Sequence, residues 1–145
     1  MSRDFADLEV GHTVTTPTRT ITEADVTNFA GVSGDFNPLH TSKAAGRDSA
    51  FGERVAHGAL IFSLMTGLLR RVRDERAAVV AFYGVDELRF TGPTTIGETV
   101  HVESELVEKE PRDHPTANGM VRYETEVLKE NGEVVLTCEL LSLVK

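Results

Sequence analysis

At 145 residues, with 40% hydrophobic and 26% charged side chains, the chain is long enough to bury a core and is expected to form one domain over residues 1–145. Fifteen basic against 23 acidic residues leave a formal net charge of −8, which argues against nucleic acid or an anionic membrane as the main partner, because both want a basic stripe. No leader-like apolar stretch or bilayer-length apolar run is recognisable, and a lone cysteine, Cys138, cannot close an intrachain disulfide, so a soluble cytoplasmic protein with a buried structural thiol is expected.

Thr13 to Thr20 can supply a first strand. Thr22 to Ala30 has the pattern of a short helix, with Thr22 as N-cap and Asp25 completing a capping box, and Gly31 and Gly34 are expected to end it. A turn through residues 33–40 follows, then a marginal helix from Ser42 to about Arg47. From Gly58 to Arg71 the residues Leu60, Ile61, Phe62, Leu64, Met65, Leu68 and Leu69 occupy nearly every side of a helical wheel, the pattern of a buried helix. Beyond Ala78 the period becomes two. Val79 to Phe90, Thr99 to Glu108, Met120 to Leu128 and Val134 to Val144 read as antiparallel strands, with Glu103, Glu105, Glu124 and Glu126 facing solvent. Asn131-Gly132 predicts a type I′ hairpin between the last two. A sheet following one wholly apolar helix is expected to curl around its whole circumference, giving an α+β hotdog fold, and its exposed edge predicts a homodimer.

Between the first two helices lies Ser33-Gly34-Asp35-Phe36-Asn37-Pro38-Leu39-His40, which brings a carboxylate and an imidazole to opposite ends of a stiff turn. Pro38 fixes its own φ and pushes Asn37 into an extended conformation, so the separation of Asp35 from His40 becomes a defined geometry. Such a pair suits general acid/base work. The same residues also permit a plain Asx-turn with a capping or packing histidine. The five histidines show no ligand spacing, so no metal is expected.

Residues Gly31 to His40, then Phe51-Gly52, then Val55-Ala56-His57-Gly58 opening the apolar helix, resemble the MaoC-like dehydratases, a hotdog family that includes (R)-specific enoyl-CoA hydratases. The resemblance covers nearly the whole chain. It implies reversible syn addition of water to a trans-2-enoyl-CoA thioester, giving an (R)-3-hydroxyacyl-CoA. Asp35 and His40 would be the catalytic pair, and no cofactor is needed beyond the coenzyme A of the substrate. The Gly58 amide, at the positive end of a helix, would serve as oxyanion hole, with Asn37 orienting the turn and touching water or substrate. His57 either contributes through its imidazole or merely packs or caps. Gly46 stands where the family usually carries Ala or Ser, and a looser local helix is expected there. The alternatives are a 3-hydroxyacyl-[acyl-carrier-protein] dehydratase, with an acyl carrier protein as partner, or a non-catalytic hotdog subunit of a heteromeric dehydratase. A thioesterase is disfavoured, because Ala59 to Leu69 carries no carboxylate to activate water at the carbonyl carbon. Arg70, Arg71, Arg73, Arg76, Lys43, Arg47, Arg54 and Arg89 could each meet coenzyme A phosphates, and none is singled out.

Overall fold

The computed structural model describes residues 1–72 and 77–145. In chain order its regular elements are β1 (Thr13–Thr15), β2 (Arg19–Thr20), α1 (Glu23–Ser33), α2 (Pro38–Thr41), α3 (Lys43–Asp48), α4 (Gly58–Arg71), β3 (Val79–Phe90), β4 (Thr99–Pro111), β5 (Gly119–Lys129) and β6 (Val134–Val144). The strands form one six-stranded antiparallel sheet in the order β1-β4-β5-β6-β3, with β2 also pairing β4. The sheet is open, and among the described residues β3 is an edge strand that pairs with β6 alone.

Period-two alternation decides what each strand buries. On β4 and β5, Val100, Val102, Leu106, Val121, Tyr123 and Val127 point into the core. Glu103, Glu105, Glu124 and Glu126 point out as expected. α4 lies against the inner face through Leu60, Ile61, Leu64, Met65, Leu68 and Leu69. Cys138 is buried beside Met65, and burial pushes its thiol up to about 11, as befits an inert core residue.

Several expectations need correction. The sheet does not enclose the whole of α4: Ala59, Ser63, Thr66, Gly67 and Arg70 form an exposed stripe, because an open sheet reaches only part way round and the small and polar residues fall on the uncovered side. Residues 13–20 form two short strands instead of one. At the break the Thr16 hydroxyl accepts from the Val102 amide at 2.9 Å, and Pro17 has no N–H to offer the ladder. Gly31 lies inside α1, which runs on to Ser33 and ends at Gly34, left-handed at φ 76°. The capping box of Thr22 and Asp25 is present as expected. The β5–β6 hairpin exists, but of Asn131 and Gly132 only Gly132 has a positive φ. Gly132 N–H bonds Lys129 O at 3.0 Å and Lys129 N–H bonds Glu133 O at 2.9 Å, which is a three-residue loop with a glycine bulge, not a type I′ turn. Arg73 and Arg76 lie outside the described residues.

Candidate active site

The turn after α1 is built from a relay of side-chain to backbone hydrogen bonds. Ser33 Oγ donates to Phe29 O and accepts from Asp35 N–H at 3.1 Å. Asp35 Oδ1 accepts from Asn37 N–H at 3.1 Å, and Asn37 Oδ1 accepts from Leu39 N–H at 3.0 Å. Asn37 is thereby the N-cap of α2, with Pro38 at the first helical position, where a missing N–H costs nothing. One helical turn, α2, then presents His40, where the sequence predicts only a turn.

His40 is held from the far side. Its Nδ1 lies 2.7 Å from Val55 O, and since a carbonyl can only accept, Nδ1 carries the hydrogen and Nε2 keeps its lone pair in the neutral ring. Nε2 faces Asp35 Oδ2 at 3.8 Å, too far for a direct hydrogen bond and close enough for one water oxygen to touch both. The Asp35 side chain is 53% exposed and that of His40 12%. The carboxylate therefore sits in contact with solvent while the imidazole is fixed.

His57, 3% exposed, lies beneath the pair. Its Nε2 is 2.9 Å from Asp35 O, its ring stacks on His40 with centroids 3.8 Å apart and 28° between planes, and Phe29 meets it edge-on at 5.0 Å. His57 is the residue before α4 but its side chain makes no capping bond. Capping is therefore not what its imidazole does.

Beside His40 opens a cavity of about 390 Å³, walled by Leu39, Phe51, Ile61 and Phe90, with His40 and Gly58 also in its lining. The Gly58 amide has no acceptor among the described residues, and it stands at the N-terminus of a 14-residue helix, where the macrodipole is positive. A Cβ on Gly58 would come 3.0 Å from the Phe90 ring, so glycine is what keeps this corner of the cavity open. Asp35 and Asn37 are not part of the cavity lining, and Asn37 is engaged as a cap. Two contributors were not legible in the sequence: the Val55 carbonyl, because backbone groups leave no residue signature, and Phe90, which reads simply as the end of a strand.

Asp35, His40 and His57 bring potential ligand atoms within 4.8 Å of one another, a grouping that sequence spacing did not reveal. The arrangement suits proton chemistry better than an ion. His40 Nδ1 and His57 Nε2 are both spent on carbonyls, and stacked rings aim their in-plane lone pairs side by side instead of at a common point. Of the basic residues considered for phosphates, Arg54 is paired with Glu23 at 2.9 Å and Arg89 lies 3.6 Å from Glu87. Lys43, Arg47, Arg70 and Arg71 are exposed.

The family described as MaoC like domain matches residues 5–128. The chain belongs to the MaoC-like dehydratase family. Among curated relatives, protein MaoC of Klebsiella aerogenes is 43% identical over 98 residues, covering 68% of this chain but only 29% of that much longer protein. An (R)-specific enoyl-CoA hydratase of Aeromonas caviae is 34% identical over 115 residues, covering 78% of this chain and 83% of the relative. Among solved structures, the R-hydratase PhaJ1 of Pseudomonas aeruginosa superposes with a TM-score of 0.81 at 34% identity, over 97% of this chain and 84% of that one. A Mycobacterium tuberculosis protein described as a double hotdog fold matches with a TM-score of 0.86 over 99% of this chain and 44% of its own, and at 18% identity it bears on fold alone. The MaoC-like fold here is thus the hotdog: an antiparallel sheet curled over one long helix. No helix among the described residues is long and apolar enough to cross a membrane.

Proposed function

We propose that the protein is a hydro-lyase that adds water reversibly to a trans-2-enoyl-CoA, giving an (R)-3-hydroxyacyl-CoA. The observation that carries this reading is the 3.8 Å gap between His40 Nε2 and Asp35 Oδ2 beside a largely apolar cavity lined in part by Gly58, whose amide has no acceptor among the described residues. A water in that gap meets two acceptors, donates a hydrogen to each, and is left with a lone pair to aim at Cβ of the enoyl group. As the C–O bond forms, one of the pair takes the proton from water. That same proton is then handed from the pair to Cα on the same face, so that the water ends as OH on Cβ and H on Cα, which makes the addition syn. Negative charge meanwhile gathers on the thioester oxygen, where the Gly58 N–H and the helix dipole are already oriented, a contribution of about 3 kcal/mol for a donor of this kind. The reaction needs neither metal nor organic cofactor. Leu39, Ile61 and Phe90 line the cavity for a short or medium acyl chain.

The working unit in this reading is a homodimer. β3 carries Val79, Phe82, Tyr83 and Phe90 at 49%, 55%, 62% and 54% exposure on an edge with unpaired backbone groups, and a second copy related by a two-fold axis would cover the same patch on both chains. The carrier is taken to be coenzyme A. An acidic carrier protein would have to dock on a chain of net charge −8.

The test is addition of crotonyl-CoA to the purified protein, following loss of the enoyl-thioester absorbance, with chiral analysis of the product. Hydration yielding the (R) product is expected, with the acyl-carrier-protein thioester turned over more slowly. Absence of turnover across short, medium and branched enoyl thioesters on both carriers would overturn the proposal.

A further inference from the structure

Among the described residues the only buried side-chain polar atom without a hydrogen-bond partner is Nδ1 of His57. An orphaned nitrogen in the interior is unfavourable, and an aliphatic or phenyl side chain would avoid it. Something else about the imidazole must therefore matter, and the geometry shows two candidates. Its Nε2 donates to the backbone carbonyl of Asp35 at 2.9 Å, tying the loop that carries the carboxylate to the start of α4. Its ring stacks on His40 at 3.8 Å, filling the space beneath the other half of the pair, and Phe29 meets it edge-on. Among the described residues, His57 both hydrogen-bonds the Asp35 backbone and stacks on the His40 ring.

We infer that His57 is the positioning residue of the acid/base pair: as a neutral Nε2–H tautomer it sets the separation of Asp35 from His40, and it touches no substrate itself. The inference rests on Asp35 and His40 being the catalytic pair. In the neutral ring the bond to Asp35 O also assigns the tautomer, because a carbonyl only accepts and so places the hydrogen on Nε2, leaving Nδ1 as the lone-pair nitrogen.

Two variants separate the two contacts. His57→Phe keeps a ring against His40 and loses the donor, whereas His57→Gln keeps an N–H of suitable reach and loses the stack. The expected result for His57→Phe is a kcat ten- to a hundredfold lower with KM within about twofold, since misplacing a catalytic group by about 1 Å costs rate rather than binding. His57→Gln should recover part of that loss. Wild-type kcat in a folded His57→Phe protein would overturn the inference, and so would a His57→Gln protein no better than His57→Phe. A measurement on the unaltered protein covers the case in which a variant does not fold: long-range ¹⁵N–¹H correlation of the imidazoles should show His57 as the Nε2–H tautomer at neutral pH. An Nδ1–H tautomer would overturn the inference whether or not any thioester is turned over, so its failure is distinguishable from failure of the hydratase reading.

Discussion

A Cβ added to Gly46 would lie 2.5 Å from the Arg54 amide nitrogen and 2.8 Å from the Glu53 carbonyl carbon, so α3 and the segment ahead of Val55 are in backbone contact through this glycine. The looser helix expected at Gly46 is instead a close approach, and what it supports is the Val55 carbonyl that holds His40 Nδ1. Gly46→Ala is predicted to cost about 1–3 kcal/mol of stability by overpacking and to lower kcat at least tenfold by displacing that carbonyl. Gly31→Ala is the control. Gly31 is exposed inside α1 with nothing within 4 Å of its Cβ position, so the change should stabilise by about 0.5–1 kcal/mol and leave kcat alone. Urea midpoints and steady-state kinetics on both variants check this, and an unaffected Gly46→Ala enzyme contradicts it.

On the outer face of the sheet, Glu103 stands opposite Glu126, and Glu105 opposite Glu124. Like charges directly across a ladder are unfavourable. Glu126→Lys turns one such pair into an opposite-charge pair and is predicted to raise stability by about 0.5 kcal/mol, with a smaller gain in high salt. A urea midpoint that stays level or falls in the variant counts against the assignment.

Glu98 anchors the loop ahead of β4. Burial raises its pKa, but hydrogen bonds from Thr95 and the Lys129 ammonium at 2.9 Å outweigh that and hold it below its ordinary 4.5, while Lys129 is held above its ordinary 10.5 despite its own burial. A depressed carboxylate contributes stability above pH 4.5 that is lost as pH falls through the folded value. A raised lysine contributes below pH 10.5 and loses it as pH rises through its own folded value. Glu98→Gln is therefore predicted to destabilise by about 1 kcal/mol at pH 7, with the gap from wild type closing toward pH 3. Denaturation midpoints at the two pH values decide it. A gap that persists in acid would mean that the charge is not what matters.

Substituting Phe82→Asp together with Tyr83→Asp on the β3 edge is predicted to convert a homodimer into a monomer in native mass spectrometry, because two charges would replace two large exposed apolar side chains on each copy. An unmodified protein that is already monomeric at micromolar concentration rules out the pairing.

What was legible in the chain follows its periodicities. The apolar density of residues 58–71 bounds α4 at Gly58 and Arg71 as observed, and the period-two runs bound β3 and β6 as observed. Asp35 and His40 were placed together because Pro38 and Asn37 constrain the turn. The misses have physical causes of their own. The exposed stripe on α4 depends on how far an open sheet wraps, which no single segment encodes. The Asn-Gly pair suggests two left-handed residues, whereas a type I turn with Gly132 alone reversed satisfies the same strands. Val55, Gly46 and His57 act through backbone carbonyls and close contacts, and these appear only once distant parts of the chain are brought together.

The most direct test of the central claim is the hydration rate of crotonyl-CoA by Asp35→Asn, His40→Gln and the double variant, each shown to be folded. If one water is shared between the two groups, each single change should lower kcat by about 10²–10⁴, and the double variant should be little worse than either, because the pair acts as a unit. A single variant that keeps kcat within a few fold of the parent, or losses that multiply in the double variant, would contradict the account.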